Sequence, residues 1–485
     1  MLRRDKLPAL VKRLEIPLFK RLERALVTLA LLALVALPAA PAHAAGKAAP
    51  AAHRAASAPT LSPATYPVER YTLDNGLTVI LHEDHAVPVV CFWQWYRVGS
   101  RNERQGITGL SHFFEHMMFN GSKNVPPKEY DRQLETRGAY SNAFTSHDMT
   151  AYYEEGGKES FETMLKLDSD RMRELSLLPD LLKSEIEVVR EERRFRTDNS
   201  VPGLLDEALY AAAFQASPYH WPVIGWMKEL ERITRDEMVD YFRTYYAPNN
   251  CTLLLIGDFA PADAKAKIRQ YFGDISRQPP PAAPVNGEPE QNGERRVEVR
   301  YPSETVSFDI GYKAPSVASD DIWVLDVLAN VLSGGESSRL HQALVYDQQI
   351  ALSAGASFRA GLEPGLFEFY VEMKPGKTAA EGEKALYAEI ERLANDGPTE
   401  RELQKARNQA ESGFISALKT NNGAGQTLGF YEHVHGDYKK MFSAVERYRA
   451  VTAADCRRVG KQVFDPTRRT EAILVPLEVG KEAQP

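Results

Sequence analysis

The chain has 485 residues, 43% hydrophobic and 26% charged, which describes a globular protein with room for more than one core and excludes disorder and a collagen-like repeat. Its formal charge of -7 is unevenly laid out: the first 24 residues hold eight basic and three acidic side chains, so from Ala45 onward 51 basic residues face 63 acidic ones. That balance argues against a nucleic-acid partner, whose phosphates need a basic face, and suits a small neutral or cationic ligand.

Residues 1–24 form a basic leader, Ala25 to Leu37 (ALVTLALLALVAL) an apolar stretch of signal-peptide length, and Ala42-His43-Ala44 an A-x-A cleavage site. An uncleaved anchor would need about 20 apolar residues. Segment 1–44 therefore reads as a signal peptide, with a retained anchor as the alternative. The mature protein is expected to be exported, periplasmic if the source is Gram-negative, with no stable membrane insertion after cleavage. The Ala/Pro-rich residues 45–63 read as a flexible lead-in. Three scattered cysteines, Cys91, Cys251 and Cys456, make no disulfide framework; free buried thiols are expected, with one bridge between Cys91 and Cys251 as the alternative.

Strand patterns come next: RYTLDNGLTVILHE, with a hairpin turn at Asn75-Gly76, then VPVVCFWQWY. Long helical patterns follow, such as Leu181 to Arg196 and, later, Glu381 to Asn395. The Pro/Gly/Asn-rich residues 278–294 (QPPPAAPVNGEPEQNGE) cannot continue a helix or a central strand and read as a linker. The two sides of that linker echo each other. Val90, Phe92 and Tyr96 meet Val306, Phe308 and Tyr312 at an offset of 216, and Pro248 meets Pro466 at 218. A duplicated unit follows, with domains at 64–277 and 295–485. Strands and helices do not alternate strictly, so the expected class is α+β: two homologous domains, each a mainly antiparallel sheet with helices packed on it. No Gly-x-Gly-x-x-Gly turn or phosphate loop supports nucleotide chemistry.

Within GLSHFFEHMMF, His112, Glu115 and His116 spell H-x-x-E-H. On a helix, positions i and i+4 lie one above the other, so the two imidazoles can reach one ion while Glu115 sits beside them. Two neutral imidazoles suit Zn2+. The bland reading is two buried histidines and a salt-bridged glutamate. A hydrolytic zinc usually has three protein ligands and an open position, and SEIEVVREERRFR offers Glu185, Glu187, Glu191 and Glu192. Glu185, Val188, Val189 and Glu192 share one helix face, so two carboxylates would point inward with two valines. Burial without a cation or strong donors would cost several kcal/mol.

GLSHFFEHMMFNGS, GAYSNAFTSHDMTAY, EIEVVREE, YYAPNN and LSGGESSRL together resemble the pitrilysin/insulinase family of inverted-motif zinc peptidases, over essentially all of the mature chain. The resemblance implies one Zn2+ per chain on His112, His116 and Glu192, with Glu185 as an outer carboxylate and Glu115 as the base that takes a proton from water. It also implies that Tyr140 to Thr145 is an edge strand where Asn142 and Ala143 meet an extended peptide substrate. The paired domains would form half of a clamshell chamber. His147, His433 and His435 read as surface or loop histidines rather than further ligands.

The second half departs from the first. At the 216 offset His112, Glu115 and His116 fall on Leu328, Val331 and Leu332, so it is a non-metal half. Active members of the family carry there an Arg and a Tyr, seven residues apart, that hold the substrate carbonyl. This chain has Val345 and Leu352 at those positions, with Arg339 and Tyr346 available only from a shifted register. The expectation is an exported zinc endopeptidase completed by a homologous partner subunit that supplies Arg and Tyr, a heterodimer. A non-hydrolysing scaffold or a zinc-dependent peptide-binding subunit is the alternative.

Overall fold

The computed structural model of the protein describes residues 61–477. The signal segment 1–44 and most of the lead-in lie outside the described residues. Among those described, no helix is long and apolar enough to cross a membrane.

Two sheets organise the fold. The first contains β1 (Glu69–Thr72), β2 (Thr78–Glu83), β3 (Val89–Tyr96), β4 (Tyr140–Thr145), β5 (Thr150–Gly157) and β6 (Cys251–Gly257), in the order β1-β2-β6-β3-β5-β4. The second contains β7 (Arg295–Tyr301), β8 (Ser307–Ala314), β9 (Ala351–Phe358), β10 (Gly365–Met373) and β11 (Arg469–Pro476), in the order β7-β11-β8-β10-β9. Each sheet has one parallel pair, β2 with β6 and β7 with β11, and is otherwise antiparallel. The α+β class and the duplication therefore stand, down to register. Tyr96 lies opposite Cys251 and its counterpart Tyr312 opposite Arg469, each partner three residues beyond the matched Pro248 or Pro466. Residues 276–294 contain no helix or strand, yet this stretch is tied down. The carboxylate of Glu288 accepts from the backbone N–H of Gln215, Ala216 and Ser217 and from Lys313 Nζ.

Alternation along β3 explains the layering. Val90, Phe92 and Tyr96 point into a core closed by first-half helices, while Cys91, Trp93 and Trp95 point to the opposite face. Five helices position the features that matter: α1 (Leu110–Met117), α2 (Pro179–Arg193), α3 (Val201–Ala213), α4 (Ile322–Ser333) and α5 (Asn421–His433). The second face of the first sheet is covered by α5, from the other half, through Ala424, Leu428 and Tyr431. In return α3 lays Leu205, Leu209 and Ala213 on Leu366, Ala472 and Leu474 of the second sheet. The halves thus exchange helices. Close approach of α5 needs glycine: a Cβ at Gly425 would lie 2.3 Å from Trp93 Nε1, and one at Gly429 2.1 Å from Trp95 Cε2. All three cysteines are buried and free.

Candidate functional site

Helix α1 starts from Gly109, whose φ of +86° lets the chain turn against Ile224 and Gly225 with no room for a side chain. The buried Glu103 carboxylate caps it by accepting from the backbone N–H of Gly109 and Ser111, at 2.8 and 2.6 Å. With Leu110, Phe113, Phe114 and Met117 in the core, the helix can present His112, Glu115 and His116 only on its remaining side. Helix α2 packs across it, and Val189 is the buried residue at the crossing. Glu185 and Glu192, four before and three after Val189, both reach α1. Val188 does not turn inward as the shared face suggested; it is 48% exposed, and of the two valines only Val189 is buried.

The geometry favours a cation. Glu192 Oε2 stands 3.2 Å from His116 Nε2 and 3.5 Å from His112 Nε2, and these three ligand atoms all lie within 4.8 Å of one another. Ligands about 2.0–2.1 Å from a tetrahedral zinc would be spaced by about 3.3 Å, which the two Glu192 distances match, so the trio has the donor set and the spacing to hold such an ion. Glu192 Oε2 is also buried with no hydrogen bond of its own. Its other oxygen, Oε1, is 2.9 Å from Arg196 Nε. Behind the trio, His116 Nδ1 donates to Glu185 Oε1 at 2.8 Å, and Asn120 Nδ2 donates to Glu185 Oε2 at 2.7 Å. That bond turns His116 Nε2 toward Glu192.

The charges of the site are organised around the same point. Burial, reinforced by the neighbouring His116, pushes His112 down to about 4, leaving it neutral. His116 is raised to about 9: burial opposes the charge, but the hydrogen bond to Glu185 and the close carboxylate of Glu192 outweigh it. Burial also works against ionised Glu185, yet donation from His116 and Asn120 holds its carboxyl below the usual range. Glu115 goes the other way. Burial raises it, partly offset by Thr145 Oγ1, which donates to Glu115 Oε2 at 2.6 Å.

Thr145 ends β4, which among the described residues pairs only with β5 and is the edge strand of its sheet. Asn142 and Ala143 lie on this strand and, with Glu115, His116, Phe119 and Glu185, line a cavity of about 350 Å³; Asn142 Oδ1 accepts from Ala143 N. A second cavity of about 260 Å³ is lined by His112, Thr145, Glu192, His147, Arg196 and Tyr210 among others. His147 is therefore a cavity-wall residue, its ring against Tyr210 and Tyr219. His433 is buried beside Trp95 on α5. Thr145, Arg196 and Tyr210 are the residues that motif reading passed over; only the place of Thr145 at the end of the SNAFT stretch offered a signal.

In the second half Leu328, Val331 and Leu332 on α4 are buried in an apolar core. Arg339 is held by Glu402, at 2.7 and 2.9 Å, and by the carbonyl of Gly397, so it packs rather than reaching a substrate. Tyr346 is 67% exposed and Leu352 47% exposed.

Comparison with known proteins agrees with this layout. Residues 78–225 match the model of the insulinase peptidase family M16, and residues 232–410 match that of the peptidase M16 inactive domain. The chain is 30% identical over 412 residues to the zinc protease PqqE of Helicobacter pylori, covering 84% of this chain and 93% of that one. It is 27% identical over 401 residues to the uncharacterized zinc protease YmxG of Bacillus subtilis, covering 82% and 96%. The crystal structure of a protease from Helicobacter pylori superposes with a TM-score of 0.82 at 29% identity, covering 85% of this chain and all of that one. A peptidase M16 inactive domain from Pseudomonas fluorescens shares the fold, with a TM-score of 0.78 at 16% identity and coverage of 86% and 100%.

Proposed function

Because this chain belongs to the M16 insulinase-type peptidase family, we propose that it is a zinc-dependent endopeptidase acting on peptides or unfolded segments inside a closed chamber. The observation that carries this is the convergence of His112, His116 and Glu192 on one point, with Glu115 beside them and an edge strand alongside. His112, His116 and Glu192 would hold the ion. When bound, zinc supplies a Lewis acid that polarises the scissile carbonyl and makes water acidic enough to lose a proton near neutral pH.

Everything else is done by the chain. An extended peptide adds to the outer edge of β4, its backbone fixed by main-chain bonds and by Asn142 and Ala143. Glu115 takes the proton of the attacking water and delivers it to the leaving amine. Thr145 holds the carboxylate of Glu115 in place, and Glu185 orients the ring of His116. A homologous partner chain would close the chamber and bring an Arg/Tyr pair, and the signal segment would export the protein. The lack of carbonyl donors at Val345 and Leu352 favours a second reading, a non-hydrolysing scaffold or a zinc-dependent peptide-binding subunit.

The test is digestion of unfolded peptides by the zinc-loaded chain, alone and with a related chain bearing Arg-x6-Tyr, with and without chelator. Hydrolysis should vanish with chelator and return with zinc. Glu115→Gln should keep its zinc and lose at least about 10²-fold in turnover. Near-native turnover in that variant refutes the role of Glu115, while peptide binding without cleavage in every form selects the second reading.

A further inference from the structure

Val345 and Leu352 in the second half offer no hydrogen bond to a substrate carbonyl, and the first half contains a donor that is not yet used. After α2 the helix widens into a π-helical turn, Arg194–Asp198. Such turns are rare and shift the following side chains out of α-helical phase. The turn is braced from two sides. Arg193 is buried and bonds Glu207 and the carbonyl of Gly225, while Gly203 of α3 packs on the backbone so closely that a Cβ there would lie 2.1 Å from the carbonyl oxygen of Arg196. Arg196 therefore leaves a fixed backbone.

Its side chain returns to the metal group. Glu192 uses Oε2 toward the two imidazoles and Oε1 toward Arg196 Nε, so the guanidinium sits across this one carboxylate from the point where His112, His116 and Glu192 converge. The Nη groups have no hydrogen-bond partner among the described residues; the side chain is 71% exposed, and Arg196 is one of the residues lining the 260 Å³ cavity that His112 and Thr145 also line. Arg196 is the one Lys or Arg on that wall. Tyr210, the other long donor there, gives its hydroxyl to Glu368.

We propose that Arg196 is a catalytic residue: its free Nη groups donate to the scissile carbonyl oxygen as that oxygen becomes negative, the role Val345 and Leu352 cannot play. This rests on the peptidase reading above and holds whether or not a partner closes the chamber. During hydrolysis the water oxygen bonds to the carbonyl carbon and the π pair moves onto the carbonyl oxygen. The water proton goes to Glu115; the oxygen pair then re-forms the C=O bond as the C–N bond breaks, the C–N pair leaving on the amine nitrogen, which takes the proton from Glu115. Arg196 gives up no proton; a guanidinium stays charged throughout.

A bystander Arg196 would only steady Glu192, and two readouts separate the cases. In Arg196→Gln brought to full zinc occupancy, verified by metal analysis, kcat should fall by about 10²- to 10³-fold with KM changed little. Affinity for a phosphinate peptide, which carries a tetrahedral anion, should fall by a similar factor. Affinity of the unreactive Glu115→Gln protein for the parent amide peptide should not change when Arg196→Gln is added. Arg196→Lys, which keeps the charge but not the fork, should lie between. If Arg196→Gln loses zinc but regains native kcat and phosphinate affinity once zinc is saturating, the proposal is overturned and Arg196 merely holds Glu192. Activity that appears only with a partner chain and ignores Arg196→Gln also overturns it, assigning the donor to the partner. A zinc-loaded native chain that neither cleaves peptides nor prefers the phosphinate would instead sink the peptidase reading, and this proposal with it.

Discussion

Beneath the candidate site lies a charge with no access to water, and removing it gives a prediction that can be worked through. Arg171 is 1% exposed, and its guanidinium is 2.8 Å from Asp168 and 3.1 Å from Glu154, both of them fully buried. It lies over the rings of Tyr130, Tyr152 and Phe119, at 4.7, 4.8 and 5.5 Å. Phe119 lines the cavity beside Glu115, and Tyr152 pairs across the sheet with Ala143 on the candidate substrate strand. Arg171→Met keeps most of the apolar contact and strands two carboxyl groups. Breaking a buried pair in this way costs about 3–5 kcal/mol, whereas neutralising the whole group costs far less. Urea unfolding at pH 7 should therefore show Arg171→Met destabilised by about 3–5 kcal/mol, with Arg171→Met/Asp168→Asn recovering a good part of the loss. The pH dependence has a definite sign. Burial raises both carboxyls, Glu154 well above the usual range and Asp168 less so, even with the cation present. Groups raised on folding stabilise the folded state when protonated and lose that contribution as pH rises through the folded value. The deficit of Arg171→Met should thus shrink as pH falls. A loss below about 1 kcal/mol at pH 7, or one that grows toward acid, would refute the reasoning.

Three further outcomes follow from the same geometry. One zinc should bind per chain; Glu192→Gln should lose it, whereas Glu187→Gln and Glu191→Gln, whose carboxylates pair outward with Arg190 and Arg194, should keep it by metal analysis. Glu185→Ala should retain the site with about 10- to 100-fold weaker zinc in competition with a chelator, since it removes the acceptor behind His116. Gly429→Ala forces α5 off Trp95 and should cost about 1–3 kcal/mol of stability despite its better helix propensity; a stabilised variant in thermal unfolding would contradict the packing.

The local parts of this protein were legible in the chain. His112 and His116 lie four apart on a helix, and helix geometry alone brings their rings to one side. The hairpin turn, the linker and the repeat offset of 216 are also patterns of neighbouring residues, and the repeat proved exact enough to match Tyr96 with Tyr312 in strand register. The third carboxylate was different. Composition and helix face left four glutamates open, and only the resemblance to a family singled out Glu192. What brings it to His116 is the packing of α2 on α1 around Val189, a contact between segments 76 residues apart that no local pattern encodes. The same limit hid the exchange of α3 and α5 between the halves, since an apolar helix face does not say which sheet it covers. Arg196 was half legible: helix spacing puts it four residues after Glu192 and so beside it, but only the tertiary structure places it on the wall of the cavity that His112 and Thr145 line. Residues within a helical turn or a hairpin are placed by backbone geometry; those that meet across the fold are placed by burial, which depends on every surface competing for the same core.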